Sequence, residues 1–270
     1  MKFAGELLAR KIIETLLALA ALVLLSFVFL RLLPGGPFDG DFPTNEAVQA
    51  SLKNLWALDR SWFFQLTHYF SQLLHGNLGI SIAHVDTPVV ELIARGFRQT
   101  LLLNALAVVF SFGMAFVTAG LAALFRHSWF DLVAQAACVV GISLPALFLG
   151  PVLIYVFGFY WQLLPTAFLT SPAHYVLPVV TLSLRPWAQL HLLLGTNLQE
   201  TLHLDFIRTA KAKGLSRARI LVRHAFRNSL LPLLAMSGPL IAGLISGSFL
   251  VEILFSVHGL GQQFADSLNQ

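Results

Sequence analysis

The segment 204–234, "LDFIRTAKAKGLSRARILVRHAFRNSLLPLL", gathers Arg208, Lys211, Lys213, Arg217, Arg219, Arg223 and Arg227 into one stretch of an otherwise apolar chain. Long apolar runs precede and follow it. A polytopic membrane protein produces this pattern, because Lys and Arg stay in short loops on the cytoplasmic side. Composition points the same way. The chain has 270 residues, of which 57% are hydrophobic and 11% charged, with a mean hydropathy of +0.76. A soluble domain of ordinary composition carries about 25% charged residues. Cys138, the one cysteine, lies inside an apolar run. It excludes a disulfide framework and reads as a small hydrophobe.

The spans follow from length. The run from Ile12 to Leu33 is long enough to cross about 30 Å of hydrocarbon as a helix. It is longer than the apolar core of a cleaved signal, and "RLLPGGPF" closes it without a small-residue cleavage pattern. Further spans are expected over Thr100–Phe125, Leu132–Phe157, Val176–Gly195 and Ser229–Val251. All must be helices, since an open sheet leaves backbone groups unpaired in lipid. Prolines 145, 151, 178 and 186 predict bent helices, and Gly113, Gly120, Gly141 and Gly150 predict close helix contacts.

Lys and Arg place the N-terminus (Lys2, Arg10, Lys11), the Arg126 connection and the 204–234 loop in the cytoplasm. The expected organisation is a cytoplasmic N-terminus and first span over 1–33, then an extracytoplasmic region over 34–99. A membrane core over 100–251 carries the cytoplasmic loop 197–228, and an extracytoplasmic tail covers 252–270. Within the first connection, "AVQASLKNLWALDRSWFFQLTHYFSQLL" has a helical rhythm suited to surface helices. His68 and His75 could share a face, but two histidines alone do not make a metal site.

No catalytic constellation is present in the sequence. There is no phosphate-binding G-x-x-x-x-G-K-[ST], no H-E-x-x-H and no G-x-S-x-G. Neither a cofactor nor a metal is expected, and the basic loop lacks the aromatic platforms of a nucleic-acid surface. Arg185, beside Pro186, is the one clear charge deep in a span. It either lines a translocation path or hydrogen-bonds within the bundle. In the basic loop, Asp205–Lys213 fits about two helical turns ended by Gly214, and Ser216 can cap a second helix. Charge alone leaves two readings open, contact with anionic headgroups or docking of a cytoplasmic partner.

A resemblance adds to this. "DFIRTAKAKGLSRARILVRHAFRNSLLPL" (Asp205–Leu233) is similar to the cytoplasmic signature loop of bacterial ABC importer permeases of the dipeptide/oligopeptide/nickel family. That loop reads D-Y-[VI]-R-T-A-[RK]-A-K-G-L-S followed by R-H-x-x-[RK]-N-x-L-L-P. "LLPGGPF", "LHGNLGIS" (74–81), "GISLPALFLG" (141–150), "LPVVTLSL" (177–184), "LVEILF" (250–255) and "GLG" (259–261) fit the same family in order. Departures are Gly36 in place of an acid, "HLLLGTNLQE" where arginines are usual, and His258 in place of a proline.

The resemblance implies an all-α polytopic bundle of the type I importer fold. Family members continue into a sixth helix, so this chain is expected to lack the last one. It implies a permease subunit moving peptides or similar small solutes across the bacterial inner membrane by alternating access, and not itself an enzyme. Implied partners are a second homologous permease, cytoplasmic ATP-binding subunits, an extracytoplasmic solute-binding protein and membrane lipid. The ATPase-coupling loop would be Asp205, Phe206, Ile207, Arg208, Thr209, Ala210, Lys211, Ala212, Lys213 and Gly214. A degenerate permease acting as a docking scaffold is the alternative. A secondary transporter is disfavoured by the scarcity of acidic residues in the spans.

Overall fold

A computed structural model describes residues 2–32, 60–81 and 87–269. The "LLPGGPF" turn after its first leucine, and the part of the predicted surface-helix segment before Arg60, lie outside the described residues. The chain divides into two compact units meeting at Val90 and Glu91.

In the first unit, α1 (Lys2–Leu32) contains the 25-residue apolar stretch Gly5–Phe29. Near its start Glu14 is paired with Arg10 and Lys11, each at 2.8 Å. Helix α2 (Trp62–Leu74) begins where the Ser61 hydroxyl accepts from the Phe64 N–H. His68 stacks on Phe64, and the His75 ring bonds the Ser71 carbonyl. Among the described residues no three His, Cys, Asp or Glu come together as metal ligands. The "GNLG" turn works through Gly76 and Gly79, both at positive φ, a region in which a side chain would be strained.

The second unit is the helical bundle. Helix α3 (Val89–Leu124) begins eleven residues before the expected span at Thr100. One face of α3 is built from small residues: Ala107, Ser111, Ala115, Ala119 and Ala122 are buried. They allow α3 to approach α6 (Val176–Leu202) closely. At the seam the Ser111 hydroxyl donates to the Ser183 carbonyl, and Ser183 donates to the Ala107 carbonyl, both at 3.2 Å.

The expected single span 132–157 is broken. Helix α4 (Trp129–Ser143) and α5 (Ala146–Leu153), which continues as a wide-turn stretch Ile154–Tyr160, are bent by 112°. Pro145 explains the break. It has no N–H to continue the ladder, and it drives the preceding residue out of helical space. Leu144 accordingly sits at φ −84 and ψ 120. Gly141 lets α4 meet α6 beside Ala188 and Leu184, Gly120 seats Phe226, and Gly150 meets Leu254. Gly113 faces open space, contrary to the expected helix contact.

Among the described residues three helical stretches are long and apolar enough to cross a membrane: Gly5–Phe29, Val89–Leu124 and Arg217–Leu254. The bent pair makes a fourth if counted as one span. Helix α6 is not among them, although Val176–Gly195 was expected to span. Its apolar side chains face inward, where Leu177, Leu182, Leu190, Leu194 and Leu198 are buried, and polar residues fill its remaining face. Burial in the bundle makes α6 a core helix. After it come α7 (Asp205–Ala212), α8 (Arg217–Ile220), a wide turn at Leu221–Ala225 and α9 (Phe226–Leu254).

The end of the chain folds back as α10 (Leu260–Asn269), fastened by a buried carboxylate. Glu252 is fully buried, and its Oε2 accepts from the Gly261 N–H at 2.7 Å. The Leu260 N–H donates to Thr100 Oγ1 at 2.9 Å. Two free N–H groups of a helix start are thus satisfied by an acid and a hydroxyl from α9 and α3. The "GLG" motif acquires a reason: a side chain at Gly259 would run into Glu252 and Thr100, and one at Gly261 into Phe249. Glu252→Ala is expected to strand the Gly261 N–H at a cost of about 1–3 kcal/mol. Glu252→Gln keeps an acceptor oxygen and should lose less. Amide exchange at Gly261 and thermal unfolding in detergent check this, and unchanged exchange in the alanine variant removes the capping role.

Candidate functional site

The basic loop is a small, firmly built structure. Helix α6 ends at Leu202, and α7 follows after a turn in which Leu204, in extended conformation, supplies its N-cap. Asp205 in the first turn and Lys211 in the last match the helix dipole. Asp205 also pairs with Arg208 at 3.2 Å, but both side chains are largely exposed. An exposed pair of this kind contributes at most about 1 kcal/mol, so it does not hold the helix in place.

Packing holds it. Ile207 and Ala210, three residues apart on one face, are buried against Ile220 of α8, with Leu202 and Leu215 closing the cluster. The exit is a double hydrogen-bonded helix end. The Gly214 N–H donates to the Lys211 carbonyl at 2.9 Å and the Leu215 N–H to the Ala210 carbonyl at 3.3 Å. That pattern requires a left-handed residue after the C-cap, and Gly214 supplies it at φ +76. Two residues on, Ser216 accepts from the Arg219 N–H and starts α8.

Of the ten residues expected to form the loop site, Ile207 and Ala210 therefore point inward. Asp205, Phe206, Arg208, Thr209, Lys211, Ala212, Lys213 and Gly214 are exposed. The outer face of α7 offers a surface with cationic and hydroxyl groups around Phe206. Arg185 lies elsewhere, on the exposed face of α6 beside Pro186. Arg219, Arg223 and Arg227 are exposed along α8 and the start of α9.

A polar group that sequence reading missed lies inside the bundle. Thr118 Oγ1 is bonded to His191 Nδ1 at 2.8 Å and accepts from Trp187 Nε1 at 3.1 Å. Asp131, buried at the start of α4, accepts from the His127 N–H and from Gln135 Nε2. Asp131 and His191 line one cleft. Sixty residues separate them in sequence, and no local pattern joins them.

Comparison with known proteins places this architecture. A family described as "Binding-protein-dependent transport system inner membrane component" matches residues 113–270. The dipeptide transport system permease protein DppB of Bacillus subtilis is 38% identical over 267 residues, covering 97% of this chain and 87% of that protein. The oligopeptide transport system permease protein OppB of Haemophilus influenzae is 32% identical, covering 95% of this chain and 85% of that protein. Among solved structures, an amino acid ABC transporter crystallised with histidines is similar in fold, with a TM-score of 0.53 at 20% identity. It covers 67% of this chain and 78% of that one.

The anchoring of α7 makes a local prediction. Ile207→Ala removes buried volume and is expected to cost about 2–5 kcal/mol of local stability. Amide exchange over 205–214 should then rise while that of α6 stays unchanged. Equal protection in the variant would show that α7 is held by something other than its buried face.

Proposed function

The chain belongs to the binding-protein-dependent transport system inner membrane components, and from that premise we propose that it carries peptides or similar small solutes as the permease of an ATP-driven importer. It is a multi-pass inner-membrane subunit, not itself an enzyme. A separate ATPase supplies the energy, a second homologous permease completes the pathway, and an extracytoplasmic binding protein delivers the solute. The relatives that carry dipeptides and oligopeptides by name support the choice of cargo.

The observation that carries the mechanism is α7. It is short, seated on Ile207 and Ala210, ended by Gly214 and exposed on its opposite face. In this reading the exposed face docks into the ATPase. Closure of the ATPase on ATP pushes α7, and the push passes through Ile220 and the wide turn at Leu221–Ala225 into α9. The bundle then alternates between outward and inward openings. The loop is cytoplasmic in this reading, which the clustered Arg and Lys support, and the N-terminus lies on the same side. Residues 34–99 and the tail 252–270 are extracytoplasmic.

The test is Gly214→Pro in the complete importer reconstituted into vesicles. Proline is held near φ −65°, while Gly214 sits at +76, so the helix end cannot form. The added side chain meets open space, so no packing is lost with it. Uptake of a labelled dipeptide and the stimulation of ATP hydrolysis by loaded binding protein should both collapse at unchanged membrane abundance. Normal uptake in that variant removes α7 from the coupling path.

A further inference from the structure

Helix α6 is enclosed by the bundle on most sides, yet the stripe it leaves open is polar. Arg185, Gln189, Leu192, Thr196 and Gln199 follow at spacings of four, three, four and three residues, so they share one face. Arg185, Leu192 and Thr196 are exposed, and the two glutamines are half-buried. Neighbouring helices instead turn Val109, Val117 and Val139 outward, as lipid contact demands. A face bearing a guanidinium and amides does not suit hydrocarbon and belongs against water or a polar ligand.

The stripe runs into the Asp131–His191 cleft, of about 180 Å³, whose other polar walls are Gln135, Thr196 and Gln199. Its hydrogen bonds determine what it offers. Thr118 Oγ1 has three partners: the Met114 carbonyl at 2.8 Å, Trp187 Nε1 at 3.1 Å and His191 Nδ1 at 2.8 Å. The indole can only donate and the carbonyl can only accept. The single hydroxyl proton therefore goes to Met114, and His191 Nδ1 is assigned as a donor. When neutral, His191 then keeps its lone pair on Nε2, which has no hydrogen-bond partner among the described residues. With the Asp131 carboxylate beside it, the cleft is rich in acceptors and suits a cation with several N–H groups, such as a primary ammonium.

Arg185 has the opposite chemistry, since a guanidinium only donates and suits a carboxylate. Six residues of helix separate Arg185 from His191, about 9 Å along the axis and about a third of a turn around it, a gap that the long Arg185 side chain narrows. A chain of three extended residues spans about 10 Å. We propose that this face of α6 is a contact track for a short zwitterionic peptide. The ammonium end lodges in the Asp131–His191 cleft and the carboxylate end lies at Arg185. This rests on the reading of the chain as a peptide permease.

Thr196→Cys in the complete importer, held in lipid nanodiscs, tests it. The probe is the anionic, membrane-impermeant reagent 2-sulfonatoethyl methanethiosulfonate, and the native Cys138 is buried. Val139→Cys, on a lipid-type face, is the control. The Thr196→Cys thiol should react several-fold faster than the control. Trialanine should slow it several-fold, N-acetyl-trialanine should not, and adding Asp131→Asn should abolish the protection. In parallel, C-amidated trialanine should protect less than the free peptide, and Arg185→Gln should remove that difference.

Equal rates at positions 196 and 139 would mean that lipid or the second permease covers the face, and would overturn the track. Equal protection by free and acetylated peptide would overturn the ammonium site. Uptake of trialanine by the unaltered importer tests the cargo separately. Uptake without protection sinks the track alone, whereas protection without uptake sinks the peptide cargo and keeps the site.

Discussion

The bundle is organised around α6, which packs against α4 and α9 and is joined to α3 by polar bonds. A bilayer provides no hydrophobic force between two apolar helices, so association rests on packing and on polar groups satisfied between them. Ala107, Ser111, Ala115 and Ala119 give α3 a flat face. The backbones come near enough for the Ser111 and Ser183 hydroxyls, each bonded first within its own helix, to share that proton with a carbonyl of the opposite helix. With α6 enclosed there, its histidine and tryptophan find Thr118 instead of lipid. Its leftover polar stripe then becomes a surface that needs a watery or polar neighbour.

Around that seam, two devices tie the ends of the bundle, and both rely on capped helix ends. At one end, α7 is terminated by Gly214, α8 is started by Ser216, and Ile207, Ala210 and Ile220 join them. At the other, Glu252 and Thr100 hold the start of α10 against α9 and α3. Helix α9 runs between the two devices. Its far end holds α10 through the Glu252 carboxylate, and α10 is bonded in turn to Thr100 of α3. The α7 end has the lighter fastening: two side chains seat it while its outer face stays free. That division between a held side and a free side is what a docking element needs.

The membrane class, the first, second and last of the expected spans and the basic loop were legible in the chain because each is a local property. Hydrophobic runs, clustered arginines, Ser216 before a helix and Gly214 after one need only neighbours in sequence to be read. The resemblance of Asp205–Leu233 to importer permeases was legible for the same reason. The Pro145 break was partly readable: a bend followed from the residue, but its size of 112° depends on how α5 packs against α6 and α9.

The sequence alone determined that this protein crosses a membrane, where along the chain its cationic loop falls and which residues can end the helices there. The tertiary structure decided that α6 is an inner helix, that Glu252 caps α10 and that Asp131 and His191 share a cleft. Those outcomes join residues on different helices, up to 160 positions apart in the Leu260–Thr100 bond. They turn on which face of each helix is enclosed. A hydrophobic run specifies a helix but not its neighbours, and a lone polar residue within it shows its purpose only when another helix supplies its partner.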